Sequence, residues 1–200
     1  MQRSRRSVWS VFAMTLMAAA CDAAMVAEEH GSVGVAAQPL SRLRMPEVPP
    51  ELEIPDGNVL SFVTEAEGVQ VYACAQDPDS GALAWTFERP AALLFGKWGL
   101  VIGHHYEGPT WEGLDDSFVA ASDPRSFPVD GAIPWLRLTG TGFGGEGMFS
   151  KVTYIHRLNT EQGLAPDSGC EADHVGARVR VPYSATYYFY TAARGWSARP

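Results

Sequence analysis

Along this chain apolar and polar residues alternate in short runs, and beyond the first twenty residues no apolar stripe recurs at helical spacing. Val69 to Cys74 sets Val69 and Val71 on one face and Tyr72 and Cys74 on the other, the two-residue period of a strand. Leu83 to Glu88 repeats that pattern, with Trp85 and Phe87 opposing Ala84 and Thr86. Leu100–Tyr106, Ser117–Ala121, Ile133–Leu138, Met148–Leu158 and Val181–Thr191 continue the series. Asp-Pro, Asp-Gly, Gly-Gly and Asp-Ser-Gly turn chemistry separates them. The last run, VPYSATYYFYT, carries aromatics on both faces, so it is expected in a central position with both sides covered. The pattern predicts an all-β domain over residues 57–200, an antiparallel sandwich or closed barrel of seven to ten strands.

The chain ahead of this domain has a different pattern. Arg3, Arg5 and Arg6, the apolar run Val8–Met17 and the small residues Ala18 to Ala20 read as an export signal over residues 1–20. Residues 21–56 are rich in Ala, Pro, Glu and Gly and read as a tether. Cys21, directly after three alanines, resembles the cysteine that becomes the lipidated N-terminus of bacterial lipoproteins; cleavage by an ordinary signal peptidase is the other reading. The expected address is therefore outside the cytoplasm, in a bacterial cell envelope, with a membrane as partner through Cys21, or secreted if Cys21 is not lipidated.

Charge excludes one class of partner. The formal net charge is −8, and losing the signal with its three arginines would make it −11. So acidic a chain lacks the clustered cations that phosphate contact needs, and no nucleic-acid partner is expected. Cys74 and Cys170 remain as an even pair in an oxidising compartment, which predicts a disulfide between them.

Chemistry concentrates in Gly103 to Ser117, GHHYEGPTWEGLDDS. His104, His105, Tyr106, Trp111, Glu112 and Asp115 are its candidate ligand-binding residues. Adjacent histidines on a strand point to opposite faces, and the spacing matches no metal-ligand rhythm, so neither a metal nor a cofactor is expected. Trp111, beside Pro109 and Glu112, is expected on a surface loop; with Trp98, Trp135 and Tyr106 it could stack on a small-molecule or carbohydrate ligand. His105 with Glu112 or Asp115 would suit an activated water in a small hydrolase. Gly142, Gly144 and Gly147 spell a dinucleotide fingerprint, but the segment that follows reads as a strand where a helix is required. Asp77 to Gly81 is a tight turn rather than a calcium loop, for want of a distal Glu.

GVQVYAC at 68–74, WTFERP at 85–90, GHHYEGPTWE at 103–112, IPWLRL at 133–138, VTYIHRLNT at 152–160, LAP with the following cysteine at 164–170 and VPYSATYYFY at 181–190 stand in one order. Together they resemble an uncharacterised family of exported bacterial and fungal proteins, catalogued as domain of unknown function 3455, over residues 57–190. The resemblance implies the domain boundaries, export and the disulfide, and no mechanism. Asp116 stands where the family tends to carry Gly in an Asp-Gly-Ser turn, and Gln162 where it tends to carry Gly before Gly163. Two classes of function remain: an extracytoplasmic, lipid-anchored binding or structural module, and a small hydrolase built on His105.

Overall fold

The computed structural model describes residues 44–77 and 79–194. The expected signal, Cys21 and most of the tether lie outside the described residues. Within them, eight antiparallel strands form one closed up-and-down barrel. They are β1 (Asn58–Gln76), β2 (Leu83–Phe95), β3 (Val101–Tyr106), β4 (Thr110–Gly113), β5 (Phe118–Val129), β6 (Ala132–Gly144), β7 (Val152–Gln162) and β8 (Arg178–Ala192). Each strand pairs with the next, and β1 closes the ring on β8 from Asn58 opposite Ala192 to Ala73 opposite Arg178. The all-β expectation is met in its barrel form.

One strand departs from the sequence reading. Thr110–Gly113 is β4, a four-residue strand in a tight hairpin with β3, and not a loop. Gly108, at φ 85°, makes the turn between them, a backbone angle at which a β-carbon would be crowded. Trp111 is consequently 1% exposed, so the surface role expected of it is corrected; among the described residues the exposed tryptophan is Trp98, at 92%.

Alternation decides which side chains fill the barrel. Ala66, Leu94, Trp111, Val119, Leu138, Ile155, Tyr187 and Phe189 belong to one buried cluster inside it. Phe62, Phe149 and Phe189 pack together at one end, with ring centroids 4.6–5.3 Å apart. Phe149 comes from the β6–β7 connection and is fully buried, so a loop side chain plugs that end. The other end carries the β1–β2, β3–β4, β5–β6 and β7–β8 connections. On β8, Tyr187 and Phe189 face inward while Tyr190 is buried outside the inner cluster, as aromatics on both faces predicted.

Residues of the expected tether pack outside the barrel, where they reach His156. Leu52, in a 3-10 turn at Pro50–Leu52, is fully buried, and its carbonyl accepts from His156 Nε2 at 2.6 Å. Tyr190 donates its hydroxyl proton to His156 Nδ1 at 3.0 Å, and Arg137 donates to the Glu53 carbonyl. The packed domain therefore starts upstream of β1. The expected disulfide joins Cys74 to Cys170, with Cα atoms 5.2 Å apart, and ties the long β7–β8 connection to β1. Asp77 Oδ1 accepts from Asp79 N, Ser80 N and Ser80 Oγ, which is turn chemistry as expected.

The two departures from the family's glycines fall on left-handed backbone: Asp116 has φ 61° and Gln162 φ 58°. A non-glycine residue there costs roughly 1–2 kcal/mol, partly offset by the entropy glycine would lose. Gln162→Gly is expected to stabilise the barrel by about 0.5–1 kcal/mol in urea unfolding; a loss of stability would contradict the strain.

Candidate functional site

Above the aromatic plug the barrel is not filled. A cavity of about 260 Å³ is lined by Gln70 on β1, Phe87, Glu88 and Pro90 on β2, His105 on β3 and Trp111 on β4, among others. Its further walls are Gly108 and Pro109 of the β3–β4 turn, Pro124, Leu136, Leu138, Arg157 and Tyr187. The Gly108–Pro109 turn thus rims the mouth. The lining is mostly apolar with a few convergent polar groups, which is the composition of small-molecule sites in barrel mouths.

Register explains the convergence. Arg157 lies between Leu136 of β6 and Tyr187 of β8, and all three share the inward face with Ile155, Leu138 and Phe189 one pair further on. Across the barrel, His105 pairs with Trp111, and their rings stack at 4.2 Å and 10°. Tyr187 meets both rings edge-on, at 5.2 and 5.3 Å.

The polar groups are mostly donors. His105 Nδ1 lies 2.9 Å from the Thr110 carbonyl, which can only accept, so the proton sits on Nδ1 and Nε2 is the ring's acceptor. Burial, helped by the positive charge of Arg157, pulls the His105 pKa down to about 3, so the ring is neutral at pH 7. The same burial pushes the Tyr187 hydroxyl up, keeping it protonated. Gln70 Nε2 and Trp111 Nε1 are buried with no hydrogen-bond partner among the described residues, and the Tyr187 hydroxyl, near Tyr183 and Arg157, has none of them within bonding distance and angle. A buried polar group without a partner costs about 1–3 kcal/mol, so three around one cavity are a feature to be explained.

Arg157 is half-buried and donates Nε and Nη2 to the Pro134 carbonyl at 3.2 and 2.8 Å. No carboxylate among the described residues pairs with it: the ion pairs within 4.0 Å join His174 to Glu171 and Asp173, and Arg178 to Glu88. The one carboxylate lining the cavity, Glu88, is taken by Arg178 at 2.6 Å.

The six candidate residues from the sequence separate. His105 and Trp111 line the cavity. His104 pairs with Glu112 on the outer face, where the Tyr106 hydroxyl donates to Glu112 Oε2 at 2.7 Å. That bond raises the Tyr106 pKa. Asp115 sits at the plugged end. Its Oδ1 accepts from the Ser117 hydroxyl at 2.6 Å and its Oδ2 from Met148 N at 2.9 Å, while Ser117 Oγ accepts from Phe149 N at 3.1 Å. The Ser117 hydroxyl, foremost among these donors, holds the Asp115 carboxyl below its ordinary range. Asp115 thereby fastens the loop that carries the plug, and Gly113 leaves room for it, since a β-carbon there would lie 3.2 Å from the Phe149 ring. No His105–Glu112 or His105–Asp115 pair is assembled. Trp98, Trp111, Trp135 and Tyr106 do not share one stacking face: Trp98 is exposed, Trp111 is inside, and Trp135 lies near Phe127.

Gln70, Leu136, Leu138, Arg157 and Tyr187 were not singled out from the sequence. Parity carried a signal: Arg157 falls in step with Ile155, and Tyr187 with Phe189, on apolar faces where an inward polar group is anomalous. Elsewhere, Glu171, Asp173 and His174 bring ligand atoms within 4.8 Å of one another, all exposed and bonded within the group.

Residues 97–191 match the family model described as "Protein of unknown function (DUF3455)", the family that the sequence resembles. The span runs from just ahead of β3 into β8 and includes His105, Trp111, Arg157 and Tyr187. No curated protein and no solved structure matches this chain.

Proposed function

We propose, from a family match that supplies no activity and a cavity that does supply chemistry, that the protein is a lipid-anchored binding barrel of the cell envelope. It holds a small, largely apolar molecule inside β1–β8. One observation carries the reading: a 260 Å³ interior cavity around which Gln70, Trp111 and Tyr187 hold buried polar atoms with no partner in bonding geometry among the described residues. The volume is near the lower end of ligand sites, roughly 300–1,000 Å³, which favours a compact molecule over a long acyl chain. The export signal expected over residues 1–20, the position of Cys21 and the disulfide are what support the envelope address.

Native mass spectrometry of the protein extracted from the envelope tests both parts together. A bound mass is expected on the wild type and lost in Leu136→Trp, which fills the cavity from its wall, and a lipid increment is expected on a chain beginning at Cys21. Ligand retained in the Leu136→Trp protein would overturn the cavity as its site; an unmodified Cys21 would overturn the anchor.

A further inference from the structure

Building on that binding role, we infer that the ligand is a small organic acid, an apolar body ending in one carboxylate that the Arg157 guanidinium and the Tyr187 hydroxyl receive inside the barrel. Four features lead there.

Arg157 is a cation set between apolar neighbours, Leu136 on one strand and Tyr187 on the other. Its bonds to Pro134 use one edge of the guanidinium. A planar fork with donors to spare is the geometry that receives a carboxylate, and charge-assisted bonds of this kind are roughly twice as strong as neutral ones. Among the described residues nothing supplies a countercharge, because Glu88 is committed to Arg178 and no other carboxylate lines the cavity.

The groups around Arg157 agree in polarity. Tyr187 is fully buried and Gln70 is 2% exposed; the hydroxyl of one, which can accept as well, and the amide nitrogen of the other can both donate. Trp111 Nε1 can only donate. His105 is the exception, offering an acceptor at Nε2, and that suits a hydroxyl or N–H elsewhere on the ligand. A ligand rich in donors, or a cationic one, would meet Arg157 unfavourably.

The walls define the rest of the molecule. Pro90, Leu136, Leu138, Pro109 and the exposed Phe87 at the mouth offer no charge and bury an apolar body. The cavity volume suits a short aliphatic or single-ring acid.

The test is calorimetric titration of the purified protein with 3-phenylpropionate and hexanoate, each beside its alcohol and its primary amide. The acids are expected to bind at least tenfold more tightly than their neutral analogues. Arg157→Gln should reduce that preference to within about twofold. Tyr187→Phe removes one hydroxyl with little volume change and should weaken the acids severalfold, which keeps the inference testable if the Arg157 variant does not fold. Acids and neutral analogues binding alike, both blocked by Leu136→Trp, would overturn the carboxylate while leaving the binding cavity in place. No binding by either class would overturn both readings. Acid binding that survives Leu136→Trp would place the acid outside the barrel and also overturn the inference.

Discussion

Lowering the pH from 7 to 5 is expected to destabilise this barrel by about 4 kcal/mol, from two histidines alone. His105 and His156 are both held neutral by burial, with pKa values near 3 and near 4 against an ordinary 6.5. Neither has a carboxylate to receive its charge: His105 donates to the Thr110 carbonyl, and His156 sits between the Leu52 carbonyl and the Tyr190 hydroxyl. The sign follows from proton counting. Below 6.5 the unfolded chain takes up a proton at each ring while the folded chain does not, so acid favours unfolding. Each unbalanced proton is worth roughly 1.4 kcal/mol per pH unit, or about 2.7 for the pair. The stability is fully present above pH 6.5, is lost as pH falls through 6.5 toward 4, and from His105 continues to fall toward 3. A domain with roughly 5–15 kcal/mol in hand would be near its limit at pH 5. Urea unfolding at pH 7 and pH 5 measures the loss. His105→Asn and His156→Asn should each remove about half of it, and a flat profile for the wild type would refute the account.

Replacing Cys74 and Cys170 together by alanine is expected to cost about 3–5 kcal/mol. The bond closes a separation of 96 residues, and chain-entropy reasoning assigns roughly 4–5 kcal/mol to a loop of that length. The bond also holds locally. The connection between β7 and β8 has only a short 3-10 turn at Ala172–His174 and is otherwise pinned by a few bonds. Trp85 Nε1 donates to the Ser168 carbonyl, and Cys74 exchanges backbone bonds with Ala177 and Gly176. Without the disulfide these exposed contacts must order some fifteen residues by themselves. Urea unfolding of the double variant measures the effect. A loss under about 1 kcal/mol would show that the connection is fixed by other means.

Much of this was legible in the alternation of apolar and polar residues, and the exceptions have physical causes. β4 escaped notice because four residues after a Gly-Pro turn are too few to display a period, and its partner is set by the hairpin, not by its own pattern. Leu52 looked like tether because a single buried leucine among prolines leaves no periodic trace; its partner, His156, lies more than a hundred residues away. Closure of β1 on β8 is equally non-local, since nothing near Asn58 announces Ala192. The tract from Gly103 to Ser117 does supply two cavity residues, but pleating divides it: His105 and Trp111 face in, His104 and Glu112 face out. Arg157 was visible as a charge in step with Ile155, a parity that gains meaning once the strand is known to face a closed interior.

Phe149 closes one end of the tube, and the Asp115–Ser117 turn holds it shut from a neighbouring loop. The interior is therefore a cup and not a conduit. Whatever occupies it must leave by the mouth through which it came, past Gly108 and Pro109. Traffic across the barrel is ruled out by construction, and under the proposed binding role what such a vessel would control is dwell time. A molecule held there is withdrawn from its surroundings for as long as the rim keeps it, so the natural measure of performance is a dissociation rate.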